Sequence, residues 1–149
     1  MRKQKGFSLI ELLIVVAIIL IIAAIAVPNL LRSRMAANEA SAVGSTRTII
    51  SSEFAYYSTF GGSTSYATLT TLGTSNLIDP VLAAGTKSGY TIATTLPTAT
   101  SFLVTATPVT VGTTGQRSFC SIEDGSIRFD TSGTTASSHD GCTGLGTLQ

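Results

Sequence analysis

Met1-Arg2-Lys3-Gln4-Lys5-Gly6-Phe7-Ser8-Leu9-Ile10-Glu11 leads directly into the apolar run Leu12 to Val27, which ends at Pro28; this stretch decides how the chain is organised. From Phe7 to Val27 there are 21 residues. At 1.5 Å per residue a helix of that length reaches about 30 Å, the thickness of one bilayer core. Arg2, Lys3 and Lys5 precede it, so the basic end stays on the cytoplasmic side and the bulk of the chain lies across the membrane. An ionised carboxylate within hydrocarbon costs a few kcal/mol, and such residues mark function more often than accident. Glu11, at the head of this run, is therefore the residue that needs explaining.

Gly6-Phe7-Ser8-Leu9-Ile10-Glu11 resembles the cleavage motif of type IV pilins and of their relatives, the type II secretion pseudopilins. The resemblance is specific over residues 1 to about 35. It implies that a membrane peptidase cuts between Gly6 and Phe7 and methylates the new N-terminus, Phe7, and that Glu11 guides assembly into a helical fibre. The free amine produced by that cut is the natural counter-ion for Glu11, in the same chain or in the next subunit. A buried pair of this kind sets register, the best-attested use of a buried ion pair. One rival reading remains. Ala24-Ile25-Ala26 has the small-x-small form of a signal-peptidase site, which would release residues 27–149 as a soluble secreted binding module. The position of Glu11 and the six-residue match around it argue against that reading.

Composition narrows the function classes. Charged residues make up 11% of the chain and the formal net charge is +1. Removing the three leader bases leaves six bases against eight acids, so the mature side chains carry a slight negative excess. No basic patch survives for nucleic acid, and DNA binding is not supported. Cys120 and Cys142 form an even pair in the exported part of the chain, where oxidising conditions favour a disulfide. A loop of that length would stabilise the fold by about 3 kcal/mol. The alternative, a metal site from Cys120, His139 and Cys142 with Asp140, lacks metal-ligand spacing. Type IV pilins commonly pin their C-terminal segment with such a bridge, so the pair also fits the resemblance.

Pro28 removes one helical hydrogen bond, to the carbonyl of Ala24, and is expected to kink or loosen the helix without ending it. Asn29 to about Phe60 reads as amphipathic helix, with Ala36, Ala40, Val43, Ile50, Phe54 and Tyr57 as its apolar stripe and Arg32, Arg34, Glu39 and Glu53 largely off it. Phe54, Tyr56, Tyr57 and Phe60 read as packing between helix and head. Gly61-Gly62 closes the helix. Ser65 is a candidate cap for Tyr66 to Leu72, with Gly73 as the stop, and Asp79-Pro80 opens Val81 to Ala84. Four strand-like runs follow, Tyr90–Thr95, Ser101–Thr107, Arg117–Ile122 and Ser126–Asp130, with turn signals at Leu96-Pro97-Thr98 and Asp124-Gly125. The remainder from Thr131 carries little periodicity.

These elements predict an α+β fold. A long N-terminal helix, half membrane-spanning and half amphipathic, packs on a four-stranded antiparallel sheet through Ile92, Leu103, Phe119 and Ile127, an arrangement like that of a pilin. The expected parts are a leader at 1–6, a transmembrane and fibre-core helix at 7–28, an amphipathic helix at 29–60, a connecting loop at 61–89, and a sheet head with a disulfide-tied tail at 90–149.

Nothing in the chain reads as catalytic. The single histidine, His139, and the acids Glu123, Asp124, Asp130 and Asp140 are scattered among turns, and the glycines have no phosphate-loop spacing. No metal, cofactor or small-molecule substrate is implied. Glu123-Asp124-Gly125 reads as a hairpin turn and not as the calcium site found in many major pseudopilins.

The function expected from the resemblance is the major pilin of a type IV pilus, with a type II secretion pseudopilin as the alternative. Glu11 and Pro28 are its assembly residues. Its partners are other copies of itself in a homopolymeric fibre, the prepilin peptidase and methylase, an inner-membrane assembly platform and an assembly ATPase. The expected route runs from the bacterial inner membrane, N-terminus cytoplasmic, to an extracellular fibre.

Overall fold

The computed structural model describes residues 6–95 and 98–148. The leader before Gly6 and the Leu96-Pro97 part of the first turn signal lie outside the described residues. The chain divides after Arg34 into two compact units. α1, Leu9–Thr59, contributes to both and remains helical through Pro28. Pro28 cannot donate to the carbonyl of Ala24, but the next residue, Asn29, adds a side-chain bond to the carbonyl of Ile25 at 3.1 Å.

The second unit is a two-layer α+β head. Two short helices follow α1: α2 (Leu69–Thr74) and α3 (Pro80–Ala83). Asp79 caps α3 by accepting from the Leu82 N–H at 2.9 Å, with Pro80 at the first helical position as the sequence suggested. The α2 expectation needs correction, because its cap is Thr68 and not Ser65. Tyr66 and Ala67 are held elsewhere: the Tyr66 N–H donates to the Thr98 carbonyl at 3.0 Å and the Ala67 N–H to a Glu53 oxygen at 2.8 Å. Those bonds delay the helix start by three residues and place Gly73 inside it.

The sheet has six strands in the order β1-β2-β3-β4-β5-β6, every neighbouring pair antiparallel. The four long ones are β2 (Tyr90–Thr95), β3 (Leu103–Pro108), β4 (Ser118–Ile122) and β5 (Ile127–Asp130). The expected four-stranded count omitted β1 (Thr86–Lys87) and β6 (Gly146–Thr147), because a two-residue strand has no periodicity to read. Such short edges also leave little unpaired backbone exposed. The Asp124-Gly125 turn between β4 and β5 is confirmed. Gly125 takes φ +73°, a conformation that favours glycine, while Asp124 accepts from the Ser126 N–H at 2.8 Å and pairs with Arg128.

Cross-strand register sorts the two faces. Ile92, Ala106 and Phe119 lie opposite one another on successive strands, and they join Tyr90, Phe102, Val104 and Ile127 in the main core with Ala42, Ile49 and Ile50 of α1 and Leu72 and Leu82 of the short helices. Leu103 was expected on this face, but its parity places it on the other one. It pairs with Ile122 there and packs with Cys120 and Cys142. The polar tail resolves into α4 (His139–Thr143) and β6, and it covers that second face. β3 and β4 are consequently buried on both sides, which hides any alternation in their sequence.

Cys120 on β4 and Cys142 on α4 are joined, with Cα atoms 6.0 Å apart. Replacing both by serine should lower the stability of the head by about 3 kcal/mol. Denaturant unfolding of the full chain in detergent micelles, compared with the parent, measures this; equal midpoints would show that the bridge adds nothing.

Candidate functional site

α1 carries two arrangements that matter for function, one in each unit. In the N-terminal unit Gly6, Phe7 and Ser8 precede the helix. Glu11 lies in its first turn and reaches back, its carboxylate accepting the Ser8 N–H at 3.1 Å. That bond is the return half of a capping box, in which a Glu three residues into the helix satisfies an otherwise orphaned donor. Glu11 thus has a structural task within its own chain that the sequence reading did not assign. Phe7 is 84% exposed and Leu9 78%, and the large apolar side chains onward to Leu31 are exposed all round the helix. The stretch is long and apolar enough to cross a membrane, and none of it is buried within the chain. Apolar surface on this scale marks an interaction site for lipid or for other protein.

In the head, the face of α1 that packs inward is not the expected one. The buried positions are Glu39, Ala42, Ser45, Thr46, Ile49, Ile50, Ser52 and Glu53, while Ala36, Ala40 and Phe54 are exposed. The buried stripe therefore lies about one residue, or about 100°, round the helix from the apolar stripe. Ile50 is common to both stripes and Val43 packs at the margin, while two carboxylates on the buried face reach into the head.

Glu39 Oε1 accepts the backbone N–H groups of Gln116 and Arg117 at 2.9 and 3.1 Å. Its Oε2 receives the Arg117 guanidinium through Nε at 2.8 Å and a second nitrogen at 2.8 Å. Both guanidinium nitrogens converge on that one oxygen, and such charge-assisted bonds are stronger than neutral ones. Burial alone would raise the Glu39 carboxyl, but the two N–H donors and Arg117 together outweigh it and hold it below the usual range. Arg117 also lies over the rings of Phe119 and Phe129, 5.6 and 5.5 Å from their centres. Asn38 beside it donates to the Thr114 carbonyl at 2.8 Å, so the loop between β3 and β4 is fastened to α1 at adjacent positions.

Glu53 is fully buried and accepts the Ala67 N–H through Oε2, and its Oε1 has no partner among the described residues. Around it Tyr66 packs on Tyr57 and Phe102, with ring centres 4.8 and 4.7 Å apart, so the expected aromatic packing between helix and head is present.

Of the residues singled out from sequence, Gly6, Phe7, Glu11 and Pro28 all fall in the N-terminal unit, and Cys120 and Cys142 are bridged in the head. The bridge leaves no thiolate for a site with His139. His139 instead meets Glu123 at 2.7 Å, which holds the tail against the β4–β5 turn and pushes the imidazole above its ordinary value. No group of metal-ligating side chains occurs among the described residues. The sequence reading missed Ser8, Asn38, Glu39, Glu53 and Arg117. The available signal was the 14-residue spacing of Glu39 and Glu53, which returns both to nearly the same helix face.

Similarity to known proteins concentrates at the same N-terminal segment. The family model described as a prokaryotic N-terminal methylation motif matches residues 1–27, which bears out the resemblance read from Gly6 to Glu11. The chain is similar to the type IV wide pilus major component of Thermus thermophilus, 64% identical over 39 residues, 26% of this chain and 30% of that protein. It is also similar to a fimbrial protein of Eikenella corrodens, 52% identical over 60 residues, 38% of this chain and 37% of that protein. The chain thus spans about a third of the length of the curated relatives it matches. Neither relative's name denotes an enzyme.

The Glu53 carboxyl gives a pH test of the head. Burial pushes it up to about 7, opposed only by the Ala67 N–H. A carboxyl raised above its ordinary value of 4.5 contributes stability that is complete below about pH 4.5 and lost as pH rises through about 7. His139 acts with the same sign, so the difference between parent and variant isolates Glu53. Glu53→Gln should flatten the decline in Tm between about pH 5 and about pH 8, measured on the full chain in micelles. An unchanged slope would assign the pH dependence to another group.

Proposed function

We propose that this chain is the major structural subunit of a type IV pilus, inserted in the inner membrane as a precursor and polymerised into a surface fibre. The observation that carries this reading is the conjunction of a methylation motif at residues 1–27 with an apolar helix that its own chain leaves uncovered. Such a helix is stable in lipid before assembly and among neighbouring helices after it, so transfer from one to the other costs little. The relatives named as a pilus component and a fimbrial protein support the same reading.

On this proposal prepilin peptidase cuts between Gly6 and Phe7 and methylates Phe7. An assembly platform and a cytoplasmic ATPase draw subunits from the membrane, and the head does no chemistry. The new amine would stand one residue before the N–H that Glu11 already holds. The carboxylate is thus placed to neutralise its own chain's terminus or a neighbour's, while Pro28 permits local adjustment of the helix. The head clamps at Glu39 and Glu53 fix the exported domain to the helix that bears the load.

The test of function is isolation of sheared surface fibres, with intact mass and N-terminal sequencing of their protein. The expected product begins at methylated Phe7; a chain beginning at Val27, or fibres lacking this chain, would end the proposal. Glu11→Gln separates the two tasks of the carboxylate. The amide oxygen still accepts the Ser8 N–H, so helix start, insertion and cleavage should persist. The charge is lost, and removing one partner of a buried pair costs about 3–5 kcal/mol. Processed monomer should accumulate while fibre yield collapses. Normal fibres from Glu11→Gln as the sole subunit would show that capping is the carboxylate's whole role.

A further inference from the structure

The bases that follow the leader are Arg32, Arg34, Arg47, Lys87, Arg117 and Arg128. Lys87, Arg117 and Arg128 are held by Asp79, Glu39 and Asp124. Within the head this leaves Arg47, exposed on α1, with no ion pair among the described residues. The acids sort in the same way. Glu39, Asp79, Glu123 and Asp124 are paired, Glu53 is buried, and Asp130 accepts from Ser132 in its own loop. Asp140, on α4, is fully exposed, with only the ring of its neighbour His139 near it, at 3.6 Å. Among the described residues, Arg47 is thus the cation of the head without an ion pair, and Asp140 is a fully exposed carboxylate whose one cationic neighbour is His139 at 3.6 Å. They lie on different elements, and no ion pair joins them within the chain.

Arg47 lines an open groove of about 390 Å³ together with Ala36, Ala40, Val43, Gly44, Leu148 and the Glu39–Arg117 pair. The two arginines against one glutamate give this groove a cationic excess. Gly44 is the telling residue of the lining: a Cβ there would meet nothing within 4 Å, so the chain's own packing does not require glycine. Glycine in a helix interior is less favourable than alanine. Open space over Gly44, beside an unpaired cation, suits an approaching surface that brings a carboxylate on a short side chain. Asp140, flanked by exposed Ser137, Ser138 and Gly141, has that form.

We propose that the groove over Gly44 receives the α4 tip of a second copy of this chain, with Arg47 pairing to Asp140 of that copy. This rests on the fibre reading above and names a contact between heads within it. The contact is heterologous, because groove and tip are different surfaces of one molecule, so it propagates along an open assembly instead of closing a dimer.

The test uses the full-length chain in a host that assembles fibres from the parent. Arg47→Asp and Asp140→Arg should each reduce sheared fibre about tenfold or more, since like charges placed opposite one another cost several kcal/mol. The double charge swap should restore most of the yield. Gly44→Leu, which improves helix propensity, should fill the groove and also suppress fibres. In every variant the processed monomer should retain its Cys120–Cys142 bridge, which separates an assembly defect from misfolding. In fibres of an Arg47→Cys, Asp140→Cys variant, a short thiol crosslinker should join the two positions between chains. Parental fibre yield from either single charge variant, a double swap no better than the singles, or no crosslink between chains would overturn the proposal. Failure of the parent itself to form fibres would instead defeat the pilin reading, and that result is read before any variant is made.

Discussion

An apolar helix surface that its own chain leaves uncovered constrains everything else in this molecule. From Phe7 to Leu31 the large apolar side chains are exposed all round the helix. In water such a surface drives association; in lipid it is at rest. The remaining sequence is consistent with service to that surface. Glu11 and Ser8 finish the helix end that would otherwise leave donors unpaired, and Asn29 adds a bond beside Pro28. The head adds a polar body in which Ser and Thr are abundant and charge is scarce.

Attachment of the head to α1 combines an apolar seam through Ala42, Ile49 and Ile50 with two carboxylates that reach into the head. Glu39 collects two backbone donors and a guanidinium, and Glu53, fully buried, collects one backbone donor. The two are opposite in electrostatic character. Glu39 is held ionised by its partners, whereas Glu53 is pushed toward its neutral form by burial. One end of the interface is thus an ion pair that persists at neutral pH, and the other is a protonation-sensitive latch.

Sequence reasoning recovered what depends on local pattern. The uncovered helix follows from a continuous apolar run, the α3 cap from Asp79-Pro80, and the β4–β5 turn from Asp124-Gly125. It failed where the determinant was a distant partner. Periodicity assigns Glu39 and Glu53 to solvent because they are charged, yet their donors lie on loops far along the chain and leave no local trace. Leu103 was misplaced because β3 is buried on both faces, and β1 and β6 escaped because two residues carry no period. At the functional end, Gly6, Phe7 and Glu11 were legible as a motif. Arg47 and Asp140 carry no sequence signal, because an exposed charge on a helix reads as ordinary solvated surface.

The sheet is a pure meander, each strand lying beside the one that precedes it in the chain. Its pairings join near neighbours, so little loop-closure entropy opposes them and the sheet has low contact order. The Glu53 latch joins residues 14 apart, while the Glu39 clamp joins residues 77 and 78 apart. By that ordering of entropic cost, the strands need no finished helix to template them, and the long-range clamp is better suited to close late. On the membrane reading, a chain anchored by its first segment can pair its strands by short-range steps and leave the long-range docking of helix to sheet for the end.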